Sequence, residues 1–203
     1  MLRQGAFQDD FVESLVMRTA FAHLRSVSPY SQSRYIQQKK TRDQTHAEFE
    51  AESWRQRMHV NKDGNVIMPP MCFKNCLSEA AKYKPLQIPG KGKTTYTKHI
   101  EAGVLAYTPL VLDVKAEDVE GEWLHVPSDG KRGGSARVEK CFPLIMEWGG
   151  VVEFSVLDDI IPEEIFQTYL EDAGQFIGVG RFRPRNNGYY GRFAVEKIEW
   201  VTA

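Results

Sequence analysis

Residues 177–193 hold the densest chemistry in the chain. They read Ile-Gly-Val-Gly-Arg-Phe-Arg-Pro-Arg-Asn-Asn-Gly-Tyr-Tyr-Gly-Arg-Phe, with four glycines, four arginines, four aromatics and no acid. Glycine lets a backbone come close to another surface. Arginine forks match phosphate oxygens, and flat rings stack on bases. The combination predicts contact with nucleic acid. A strand rather than a helix is expected to follow, which excludes a dinucleotide-binding turn, and the Gly-Lys-Ser/Thr of a phosphate-binding loop is missing. Gly92-Lys93-Thr94 imitates part of that motif, but no strand leads into it.

Other residue sets point to other chemistry. Cys72 and Cys76 share a helix face, and His59 and Cys141 would have to join them to complete a zinc site. No paired spacing supports that, and the three cysteines make no disulfide framework. No metal and no cofactor is expected. General acid–base work would fall to His99, in a basic stretch, to Tyr107 or to His125. No two histidines sit near one another in sequence and no Asp-x-Asp or His-Glu pair stands out, so a binder is expected rather than an enzyme.

Net charge is −1, which alone argues against a nucleic-acid binder. The distribution is uneven. Residues 31–42, 82–98, 129–140 and 177–193 hold 17 of the 26 Lys and Arg residues and two acids. The remainder holds nine bases and 25 acids. If the four segments meet in space, they form a positive face on an acidic body. The candidate contacts are Arg34, Lys39, Lys40 and Arg42, then Lys74, Lys91 and Lys93, then Lys131, Arg132 and Arg137.

The elements that position these residues follow from periodicity. Residues 11–25 fit helix or strand, and the Ser-Val-Ser-Pro that follows favours strand. Residues 43–57 lack Gly and Pro and read as a charged helix. A small hairpin is expected around Asn61-Lys-Asp-Gly64. Pro69-Pro70 opens a helix to about Tyr83 with Phe73, Leu77, Ala80 and Ala81 as its stripe. Residues 103–114 read as one strand, with Pro109 marking a bulge or edge. A basic hairpin is expected over about 122–140. Gly149-Gly150 reads as a two-residue turn joining two further strands. Pro162-Glu-Glu starts a second helix, and Gly174 stands where a terminal glycine belongs. Residues 190–201 alternate as a closing strand.

The order is strand, helix, strand, strand, helix, strand. This is an α+β, ferredoxin-like or RRM-like core, a single domain over residues 1–203 with an insertion at about 31–68. No run of about 18 apolar residues predicts a membrane span. The first residues lack the apolar core of a signal peptide, so a cytoplasmic place is expected.

At this point the sequence resembles the RAMP superfamily, the CRISPR-associated RNA-binding proteins with Cas7-like members. The glycine-rich loop between the last helix and the last strand carries the likeness. It runs from Gly178-Val-Gly180 through Gly188-Tyr189-Tyr190-Gly191-Arg192. Asn65-Val-Ile-Met-Pro-Pro-Met-Cys-Phe-Lys resembles the family's turn into its first helix, and Leu24-Arg-Ser-Val-Ser-Pro the exit of its first strand. Pro70 and Met71 depart from the commoner glycine and serine. The length, shorter than most Cas7 backbone proteins, fits a stand-alone phage or mobile-element relative.

The resemblance implies binding of single-stranded RNA, with polymerisation along it in Cas7-type members and cleavage in Cas6-type and some Cas5-type members. Gly178, Gly180, Gly188 and Gly191 would then let the backbone approach the strand. Arg181, Arg183, Arg185 and Arg192 would meet phosphates, and Tyr189 or Tyr190 would stack on a base. Expected partners are single-stranded RNA or DNA, with further copies of the chain or CRISPR-type complex subunits. Three alternatives stay open: a metal-independent endoribonuclease using His99 or His125, a phage protein-interaction module or inhibitor acting on a CRISPR complex, and a single-stranded DNA protein of recombination or replication.

Overall fold

The computed structural model describes residues 17–128 and 136–202; Lys131 and Arg132 lie outside them. The main sheet has the order β4-β8-β1-β9 and is antiparallel throughout. Its strands are β1 (Arg18–Ser26), β4 (Val104–Leu105), β8 (Gly149–Val156) and β9 (Phe193–Thr202). Two helices make the crossovers. Helix α2 (Pro70–Tyr83) lies between β1 and β4 in the chain, and α4 (Glu163–Asp172) lies between β8 and β9. This is the split βαβ arrangement expected from the sequence. Helix α2 starts where Pro70 needs no hydrogen-bond donor. Its stripe of Phe73, Leu77, Ala80 and Ala81 is fully buried. Ala20, Ala22, Leu24, Val152, Phe154 and Val156 supply the sheet side of that core.

A second layer is grafted on. Strand β2 (Tyr30–Ser31) pairs with β7 (Arg137–Ile145), and β7 pairs with β6 (Glu120–Pro127) as the expected hairpin. Strand β3 (Asn65–Met68) pairs with β5 (Leu110–Lys115). The turn before β3 forms as read, although only Val60 and Val66 bridge across it. Helix α1 (His46–Ser53) begins with a capping box, in which Glu48 N–H donates to Thr45 Oγ1 and Thr45 N–H to Glu48 Oε2. A 3₁₀ turn (Trp54–Arg57) continues it. Helix α3 (Thr97–Gly103) ends the basic stretch after α2.

Three expectations are corrected. The stretch 103–114 is two strands, β4 and β5, in different sheets, with Pro109 in the gap between them. Gly149-Gly150 is not a hairpin turn, because β7 and β8 also belong to different sheets. The chain changes sheet at Trp148. Its N–H donates to Ser26 Oγ and its carbonyl accepts from Ser26 N–H. Gly149 then lies so close to β1 that a Cβ would stand 2.7 Å from the Leu24 carbonyl oxygen. Finally, Gly174 does not end the second helix. The chain continues through a π turn (Ala173–Ile177) and is capped by Gly178. Gly174 is small because a Cβ there would stand 2.1 Å from the Phe193 carbonyl oxygen.

Candidate nucleic-acid interface

The glycine–arginine loop runs from Gly178 to Arg192, between the π turn and β9. It folds back on itself. Val179 N–H donates to the Gly191 carbonyl at 3.0 Å, and Tyr190 N–H to the Phe182 carbonyl at 3.0 Å. It also lies on β2, since Arg181 N–H donates to the Ser31 carbonyl at 2.9 Å. Gly180 has φ +78°, and a Cβ there would stand 2.5 Å from both the Ser31 carbonyl oxygen and the Tyr30 ring. Gly191 has φ +72°, and its Cβ would stand 1.8 Å from the Val179 carbonyl oxygen. These two glycines let the chain approach itself. The expectation had been approach to a bound strand.

The arginines are already engaged. Arg181 stacks over the Phe142 ring at 3.7 Å, and its NH1 lies 3.4 Å from Glu122 Oε2 on β6. Burial lowers its pKa, and the Glu122 carboxylate opposes that shift. The buried Tyr190 hydroxyl donates to the other Glu122 oxygen at 2.6 Å. Burial, then the neighbouring Glu122, holds that phenol far above its ordinary value. Arg183 NH2 donates to Glu79 Oε1 on α2 at 2.7 Å, and Arg185 Nε lies 3.8 Å from Glu79 Oε2. Arg192 Nε donates to the Gln175 carbonyl. Of the four, the Arg185 side chain is the most open, at 57% exposure where Arg181 and Arg183 are mostly covered.

The aromatics divide in the same way. Tyr190 is interior, whereas Tyr189 is 52% exposed. Phe182 was not singled out from sequence, yet it is 42% exposed and held at φ +55°. A bulky residue with positive φ is an outlier that stores about 1–3 kcal/mol of strain. Phe182, Tyr189 and Tyr190 meet edge to face, with centroids 4.6–5.6 Å apart. The signal for Phe182 was its place between Arg181 and Arg183, just before Pro184.

The other basic candidates scatter. Segment 31–42 leaves β2 directly beneath the loop, and Arg34, Lys39, Lys40 and Arg42 are exposed. Arg137 sits at the start of β7 and donates to the His125 carbonyl. Lys91 and Lys93 are exposed on a tight turn closed by Ile88 N–H to the Thr94 carbonyl. Lys74 points inward, in contrast to the expectation, and burial lowers its pKa. Its ammonium donates to Ser78 Oγ and to the carbonyls of Ile100 and Glu101, closing the end of α3.

His99 has an acidic partner that sequence distance concealed. Its Nδ1 lies 2.6 Å from Asp158 Oδ2, 59 residues away. Burial works to raise the Asp158 pKa. Hydrogen bonds from His99 and Ile160 N–H, with the charges of His99 and Lys91, outweigh it and leave the value lowered. A carboxylate lowered on folding stabilises the native state above its ordinary pKa, near 3.8. That contribution is lost as pH falls through the folded value. Wild type should therefore lose its stability margin over Asp158→Asn on acidification below about pH 4, read by urea melts at several pH values. A margin that is constant with pH contradicts this. His125 is exposed on β6, opposite Glu139.

The cysteines are free. Burial pushes the thiols up, to about 12 at Cys72 and about 11 at Cys141, with Cys76 higher still. Cys76 Sγ donates to the Gly178 carbonyl at 3.2 Å. Among the described residues no three His, Cys, Asp or Glu side chains are placed to hold a metal ion, and no helix is long and apolar enough to cross a membrane.

No family model matches this sequence, and no curated protein does. Solved structures do match. A chain in the cryo-EM structure of the Type III-B Cmr-beta bound to cognate target RNA gives a TM-score of 0.49 at 11% identity, over 93% of this chain. The present chain spans 62% of the length of that one. Cmr6 from Pyrococcus furiosus gives 0.40 at 12% identity, over 89% of this chain and 97% of that one. A chain of a CRISPR RNA-guided surveillance complex gives 0.36 at 8% identity, over 88% and 67%. All three likenesses are at low sequence identity, from 8% to 12%.

Proposed function

We propose that the protein binds single-stranded nucleic acid without cutting it, through the exposed edge of the glycine–arginine loop. One observation carries this reading: Phe182 and Tyr189 are large rings held in solvent by a strained, hydrogen-bonded loop that also presents Arg185. Ordered exposed rings beside a solvent-exposed guanidinium suit unstacked bases and their phosphates. The open face of the main sheet is the less suitable surface. Phe21 there stands directly opposite Glu153 on one side and Glu199 on the other, and carboxylates repel a phosphate chain. RNA rather than DNA rests on the sequence resemblance. Segment 31–42 beside the loop would extend the contact along the strand.

The test is a gel shift with single-stranded RNA and DNA oligomers at two salt concentrations. Binding that weakens steeply with salt is expected; no shift at low salt overturns the reading. Glu79 competes with phosphate for Arg183 and Arg185 in this arrangement. Glu79→Gln should tighten binding by about two- to fivefold at low salt, the worth of one exposed ion pair. An unchanged or weaker affinity would remove these two arginines from the contact.

The hydrogen bond between His99 and Asp158 favours a second reading. An imidazole oriented by a carboxylate is a general base, so the metal-independent endoribonuclease stays in view. Labelled RNA incubated in chelator with wild type and His99→Ala separates the readings, since the binder leaves RNA intact in both.

A further inference from the structure

One cleft on the surface has no part in the reading above. It measures about 650 Å³ and opens where β1 ends, β5 passes and the chain steps from β7 to β8. Trp148 and Leu112 are its buried floor. Val27 and Met146 stand on its walls, 59% and 62% exposed. Two carboxylates, Asp113 and Glu147, line the cleft, and neither has a partner among the described residues. Arg25 is the one basic residue that lines it, and its guanidinium is turned to Glu196 at 3.2 Å. A smaller groove of about 320 Å³ shares Val27 as its wall and continues past Phe193 and Ala194. Isolated exposed apolar residues need no explanation, but a cleft with an apolar floor and apolar walls does.

The charge decides what fits. Uncompensated carboxylates above an apolar floor repel nucleic acid and acidic peptides. They attract a group that brings positive charge together with an apolar side chain. A small cation would leave the floor wet, and a neutral apolar ligand would leave both carboxylates unpaired. We infer that this cleft is a docking site for a protein partner, which enters as a basic segment with one apolar side chain between lysines or arginines. The apolar side chain lies over Trp148, and the flanking cations meet Asp113 and Glu147.

Fluorescence anisotropy with three labelled nonapeptides tests this. The first carries one leucine flanked by lysines, the second has glycine for leucine, and the third has glutamates for lysines. The first should bind at least about tenfold more tightly than either of the others. The double variant Asp113→Lys/Glu147→Lys should abolish that preference and leave affinity for single-stranded RNA unchanged. Both positions are exposed, and circular dichroism checks that the variant folds. Three results overturn the inference: no preference among the peptides in wild type, a preference that survives in the double variant, or a dimer in sedimentation that dissociates only in the double variant. The last would assign the cleft to a second copy of the chain.

Discussion

Replacing Phe182 and Tyr189 together by alanine should lower the affinity for single-stranded RNA by at least about 30-fold. Each stacked ring is worth about 1–3 kcal/mol by alanine substitution, and about 1.4 kcal/mol is a factor of ten. The expected signature is specific. Neither substitution removes a charge, so the dependence on salt should keep its slope while the whole curve moves to weaker binding. Substituting Arg185 should flatten the slope instead, because a phosphate contact and its released counterion are lost. The two kinds of variant therefore separate stacking from charge. Both exposed rings can go without opening the loop, since the ties through Arg181, Tyr190 and Gly191 are made elsewhere. If the double variant binds as wild type does, with its fold intact, the rings are not a stacking platform.

Glu50→Ala should cost about 3–5 kcal/mol of stability, the usual penalty for stranding one partner of a buried ion pair. Glu50 and Arg57 are both almost wholly buried. Arg57 NH2 donates to Glu50 Oε2 at 3.1 Å, and its NH1 lies 2.8 Å from Oε1, out of line for a hydrogen bond. The same Oε1 accepts from the Cys141 N–H on β7 at 2.8 Å. One carboxylate thus joins α1 and its 3₁₀ turn to the second sheet. Its loss leaves a buried guanidinium and a buried N–H without partners. In a chain of this size the midpoint of thermal unfolding should fall by about 6–20 °C. Glu50→Gln keeps an acceptor for Cys141 and should lose less. A fall of only a degree or two in the alanine variant would show that water reaches the site and replaces the carboxylate.

The contrast between local and distant information explains what could be read from the chain. Helix α2 was legible because its start, stripe and end are written within fourteen residues, and β9 because its alternation is regular. The hairpin at Gly149-Gly150 was not, although the local signal was strong. Both flanking stretches are strands, but β7 pairs with β6 and the distant β2 while β8 pairs with β4 and the distant β1, and these pairings outweighed the turn. The same holds for the site. The loop's composition drew attention to the region, and its arginines were named as candidate contacts. Their acidic partners, Glu79 and Glu122, stand on α2 and β6, so the local excess of positive charge did not survive folding. Phe182 became visible only through a backbone angle, and the acid beside His99 only through the fold.

The position of β1 bears on how the protein is made. It is the first described strand, it lies inside the main sheet, and its long partners β8 and β9 come from the last third of the chain. On the ribosome, about 120 residues must emerge after β1 before β8 can begin to pair with it. At about 5–20 residues per second, this strand waits roughly 6–25 s with both edges open. A nascent chain of this design is exposed to misassembly while it is being synthesised, and its yield in cells should respond to chaperones that shield an unpaired strand.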